Sequence, residues 1–204
     1  MFNGHFKEGE EQSTTLKEIE GVVSTRSFQI LAQWVCLGRI VFENSSADEA
    51  ISAAIEFARF ADMCGVTAME HLMAEHIKDT IIADAAHRHA NPHRHANPHR
   101  NHNANTYSIT SQHIVSAADL PMGHPVRKIL AMAAVEGYFL LDNHRFAKEY
   151  REIPGFAADL LEAVRASVKT ISHGEYYVEF VEPLSGERLP LRQVYEMPRV
   201  DTPL

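Results

Sequence analysis

At 204 residues, with 45 % hydrophobic side chains, the chain is long enough to bury a packed core in one or two domains. It carries 27 Asp and Glu against 19 Lys and Arg, a net charge of −8 with neutral histidines, and no dense basic run, which argues against binding a phosphate backbone. Its longest apolar run, Ile129 to Leu141, is broken by Glu136 and is too short for a bilayer. The opening MFNGHFKEGEEQ lacks the basic-then-apolar order of a signal peptide. A cytoplasmic or nuclear protein is expected, with neither membrane nor nucleic-acid partners.

In chain order, Ser13 to Ile19 alternates weakly and reads as a short exposed strand. From Thr25 the period becomes helical, with Phe28, Leu31, Trp34 and Val35 on one face and Gly38 at the place of a left-handed C-terminal cap. Two capping boxes, Ser46–Glu49 and Thr67–Glu70, predict two antiparallel helices joined at Gly65-Val66. Their inward residues are Ile51, Ile55, Phe57 and Ala58 in the first, and Met69, Leu72, Met73, Ile77 and Ile81 in the second. Cys36 and Cys64 fall inside these apolar patterns, which predicts buried, inert thiols and no disulfide.

The hexapeptide His87-Arg88-His89-Ala90-Asn91-Pro92 repeats as His93 to Pro98 and then decays. With a proline in each unit and few apolar side chains it cannot build a core, and it reads as a flexible linker. Helical patterning resumes at Thr110 to Ala118. Pro125 opens a long helix that turns Val126, Ile129, Leu130, Ala133, Gly137 and Leu141 inward, and Pro154 opens another that turns in Phe156, Leu160, Leu161, Val164 and Val168. A strand-like run, Tyr176 to Val181, a turn at Leu184 to Glu187 and a polar end close the chain.

Four of these segments carry a family likeness. Ser27 to Ile40 (SFQILAQWVCLGRI) resembles the BTB/POZ helix that ends in a Trp-Leu-Tyr-Thr-Gly type of sequence. Glu56 to Val66 (EFARFADMCGV) is similar to the segment that follows it, and Met69 to Ile77 (MEHLMAEHI) to the helix that closes the domain. Phe2 to Glu8 (FNGHFKE) resembles the loop that leads into the third strand of the family. With Leu120 to Arg127 (LPMGHPVR) in a helical extension, the pattern looks most like fungal BTB-domain proteins.

The resemblance implies a mostly α fold: an incomplete BTB/POZ-like helical core with a short strand over 1–83, a linker over 84–108, a helical extension over 109–173 and a tail over 174–204. The first strands and helices of the family have no counterpart here. They would cover the apolar faces of Phe28, Leu31, Ile51 and Ile55, so an unusually large apolar patch is expected unless the extension folds back over it. Trp34 is expected in the core.

By the same resemblance the function is protein–protein interaction, as a scaffold or adaptor for a cullin-type ubiquitin ligase or a transcriptional complex. Phe6, Glu8 and Cys36 are the partner-binding positions, Cys36 standing where the family has an aromatic residue. The partners are proteins, with a cullin scaffold and a second copy of the chain among the candidates. The alternatives are a truncated, non-functional or conditionally folded BTB fragment, and a metal-binding protein using the His-rich repeat, although that repeat supplies no fixed geometry. Neither a catalytic residue nor a cofactor is expected. No phosphate loop, nucleophile elbow, Cys-x-x-Cys or His-Glu-x-x-His pattern occurs, and His113 and His124, near helix starts, read as capping or solvated groups. Glu136 reads as a buried polar contact to a neighbouring helix.

Overall fold

The computed structural model describes residues 18–42, 46–90, 105–140, 144–173 and 178–191. Among them the chain is mostly α-helical with a small three-stranded antiparallel sheet.

The first helices begin and end where local chemistry directs. In α1 (Thr25–Leu37) the Ser24 hydroxyl accepts the Ser27 N–H and the Ser27 hydroxyl accepts the Ser24 N–H. The helix stops at Gly38, whose φ of 64° lets its N–H reach the Trp34 carbonyl. Helix α2 (Ala47–Met63) opens on the expected box between Ser46 and Glu49. Helix α3 (Met69–Ala90) begins one residue later than its sequence predicts. Ala68 lies in the left-handed region at φ 72°, so Thr67 does not take the cap position.

Helix α3 also runs past the boundary expected at 83. Ala85 stays buried, and Arg88 pairs with Asp84 one turn back at 3.0 Å. After the segment 91–104, which lies outside the described residues with most of the His-rich repeat, a buried 3-10 turn covers Asn105–Ser108. Two short-range caps follow: Thr110 opens α4 (Ser111–Ala117), and Pro125 stands first in α5 (Pro125–Leu140). Then come α6 (Ala147–Glu152), which no sequence pattern announces, and α7 (Pro154–Val168), again with proline first.

Helix α5 is buried almost all round because it packs on α3, α4, α7 and the 3-10 turn. The turn is locked onto it by Thr106. Its hydroxyl donates to the Ala133 carbonyl (2.8 Å) and accepts the Gly137 N–H (3.0 Å), so it sits inside the helix ladder. Gly137 makes room for this approach, since a Cβ there would stand 2.8 Å from the Thr106 methyl. Glu136 makes the buried contact expected of it, accepting the Asn105 N–H at 3.3 Å.

The sheet joins β1 (Ser172–His173), β2 (Val178–Val181) and β3 (Arg188–Pro190) in that order, with Ser172 opposite Glu179 and Phe180 opposite Leu189. It is held to the helices by Phe180, whose ring lies 4.8 Å from that of Phe139. One hydrophobic cluster runs through the molecule, from Ile51, Ile55 and Phe57 of α2 and Met73 and Ile77 of α3 to Ile114, Val126, Leu130, Phe156 and Phe180. The helices after residue 109 therefore fold back over the face that Ile51 and Ile55 present, and both are fully buried. Trp34 is half-buried at the edge of this cluster and not inside it.

Candidate functional site

Among the described residues exposed apolar side chains are scattered over several elements, and three of them, Phe28, Val35 and Leu37, lie on α1. The helix is tied down at its start, where the Glu56 carboxylate of α2 accepts from both the Ser24 hydroxyl and Arg26. These ties fix its rotation. Ser27 and Ile30 turn fully inward with Leu31 and Trp34 partly behind them, and Ser27 can be buried because its hydroxyl is satisfied within the cap. At 100° per residue, Phe28, Ala32, Val35 and Cys36 then fall together on one outward flank. Phe28 leans on Phe60 with ring centroids 5.1 Å apart but keeps 37 % exposure, while Val35 keeps 72 % and Leu37, on the opposite flank, 61 %.

Two sequence expectations are corrected here. Cys36 is exposed on this flank, and Val35 points out rather than in. Cys64 is exposed as well, at the C-terminal cap of α2 where the helix has already ended. The apolar period placed Val35 and Cys36 on a helix correctly but left open which flank faces inward. Of the three partner-binding positions, Cys36 thus lies on the exposed stripe, and Phe6 and Glu8 lie outside the described residues.

Of the histidines that the sequence places near helix starts, His113 takes the expected capping position and also reaches side chains of α2. His113 is 1 % exposed and meets Ser52 and Asp48 of α2. Both contacts fall on the same ring nitrogen: Nε2 lies 3.1 Å from Ser52 Oγ, 3.1 Å from the Asp48 carbonyl and 3.3 Å from Asp48 Oδ1. A serine activated through histidine needs hydroxyl and carboxylate on opposite nitrogens, and here Nδ1 is occupied by the Thr110 N–H at 3.2 Å.

A second polar pair, Arg127 and Asp159, is buried between α5 and α7. Arg127 Nε donates to Asp159 Oδ2 at 2.8 Å and Nη1 to the Leu120 carbonyl at 3.0 Å. Nη2 lies 2.7 Å from the same carboxylate, at an angle too poor for a good hydrogen bond. A third buried group, Glu182, accepts through Oε2 from the N–H groups of Leu184 and Ser185 and from the Ser185 hydroxyl. Burial pushes its carboxyl above the ordinary range, against the pull of those donors.

Among the described residues no three His, Cys, Asp or Glu side chains stand close enough to share a metal ion, and no helix is long and apolar enough to cross a membrane. No family model, curated protein or solved structure matches the chain.

Proposed function

We propose that the chain is a protein–protein interaction module whose docking surface is the outward flank of α1. The observation that carries this reading is the exposed stripe of Phe28, Ala32, Val35 and Cys36 on a helix whose other face is already satisfied. Monomeric surfaces show scattered apolar residues, but a contiguous helical stripe is a feature of interaction sites. An apolar partner helix lying along it would find anchors at the first, fifth, eighth and ninth positions of the stripe, the spacing of helix recognition.

The BTB/POZ resemblance supports the same reading, because α1 falls in one of the four segments that carry it. Within that proposal the partner is a cullin-type scaffold or a second copy of the chain, and the protein serves as an adaptor without chemistry of its own. The stripe also supplies its own reporter. In a Cys64→Ser chain, Cys36 is the one remaining thiol. Its rate of alkylation should fall at least several-fold when a purified cullin amino-terminal segment is added or when the chain is concentrated to the micromolar range. A rate unchanged under both conditions would remove the docking reading.

A further inference from the structure

Two buried histidines do the same unusual work at the starts of neighbouring helices. His113 accepts the Thr110 N–H through Nδ1 (3.2 Å) while the Thr110 hydroxyl accepts the His113 N–H (3.3 Å), closing the capping box of α4 with an imidazole. His124, directly before α5, accepts the Val126 N–H through its own Nδ1 at 3.2 Å. Both side chains are buried. We propose that His113 and His124 form an acid-sensitive latch, which holds α4 and the first turn of α5 against α2 and α3 while neutral and releases them when protonated.

The argument is geometric. With Nδ1 accepting, the ring proton of His113 sits on Nε2, where the Asp48 carbonyl takes it. Protonation puts a second hydrogen on Nδ1, pointing at a backbone N–H that is itself a donor. The bond that closes each cap becomes a repulsion. The new charge also lies at a helix N-terminus, where the macrodipole favours anions and opposes cations.

The surroundings of each ring set the balance. Among the described residues the charged group that acts on His113 is Asp48 of α2, while α5 and α6 also pack on α4. His124 faces Glu70 and His71 of α3, Asp62 of α2 and Arg127 of its own helix. The carboxylates favour the cation, but burial outweighs them, and both imidazoles titrate below the ordinary histidine range. The closed form therefore refuses protons that the open form accepts. Its stability is complete above about pH 6.5 and falls as pH drops from there towards the depressed values, by up to about tenfold in the opening constant per pH unit for each histidine. Opening uncovers Ile114 and Ala117 of α4 and the surface of α2 beneath them, which are buried in the closed form.

The test is hydrogen exchange of the full chain between pH 7.5 and 5.0, corrected for the intrinsic pH dependence of exchange. A His113→Gln, His124→Asn chain serves as the comparison. Glutamine at this capping-box position and asparagine at an N-cap keep the acceptor without titrating. The expected result is protection lost on acidification in 111–117 and at the start of 125–140 while 154–168 stays protected, with that loss absent from the double variant. Protection that is flat with pH in the natural chain, or lost equally in the double variant, overturns the latch. Should the variant not fold, the imidazole C2–H resonances of the natural chain decide. They should keep neutral shifts down to the pH at which exchange rises, and titration near pH 6.5 with α4 still protected overturns it.

Discussion

Replacing Asp159 by alanine should be among the most damaging single changes in the molecule. Arg127 and Asp159 are 6 % and 8 % exposed, and the carboxylate takes the Nε bond at 2.8 Å with Nη2 at 2.7 Å. Without it the guanidinium keeps its bond to the Leu120 carbonyl at 3.0 Å, and it cannot swing away easily. Gly155 lies so close that a Cβ there would come within 2.4 Å of Nη2. Removing one member of a buried pair costs about 3–5 kcal/mol, mostly from the charge left behind. For a chain of this size that is a fall in Tm of roughly 6–20 °C. Urea and thermal denaturation of Asp159→Ala measure it directly. The pair itself contributes little net stability once desolvation is counted, so Arg127→Met with Asp159→Leu should recover most of the loss. A single variant within about 1 kcal/mol of the natural chain would refute the reasoning, because it would mean that the guanidinium reaches water.

Three further outcomes are expected. Gly137→Ala should cost about 1–3 kcal/mol by driving its Cβ into the Thr106 methyl, and adding Thr106→Ala should recover part of that; equal stability of both variants would deny the close approach. Glu182 has its folded pKa raised, so its contribution to stability is lost as pH rises from about 4.5 through the folded value, opposite in sign to that of the buried histidines. Glu182→Gln should remove that component from the pH dependence of urea midpoints, and an unchanged slope would contradict it. Replacing residues 91–104 by a short Gly-Ser segment should change stability by less than ~1 kcal/mol, whereas deleting 86–105 should cost several times more, since it also removes Arg88, bound to Ser108 at 2.5 Å, and Asn105. Similar denaturation midpoints for the two deletions would count against the anchoring role of those residues.

What could be read from the sequence was what local chemistry decides. Ser46, Thr110, Pro125, Pro154 and Gly38 each marked a helix boundary, because a cap or a fixed φ acts over three or four residues. The rotation of α1 could not be read. It depends on Glu56, which lies 30 residues from its partner Arg26 and became a neighbour only through folding. For the same reason Cys36 was placed on the right helix but on the wrong flank. The Arg127–Asp159 pair spans 32 residues, and neither residue stands out from an ordinary solvated charge in the sequence. Strands of two and three residues such as β1 and β3 are too short to show alternation. The start of α3 was misjudged because Thr67 carries the right side chain while the backbone at Ala68 takes the left-handed turn.

The docking surface on α1 is tested most directly by sedimentation of the natural chain and of a Val35→Glu chain, alone and with a purified cullin amino-terminal segment. Val35 is 72 % exposed, so the substitution should change stability by no more than about 0.5 kcal/mol. The account predicts that the natural chain sediments as a complex, with itself or with the cullin segment, and that Val35→Glu sediments as a monomer under the same conditions. Monomers in every case, or complexes that the glutamate leaves intact, would contradict it.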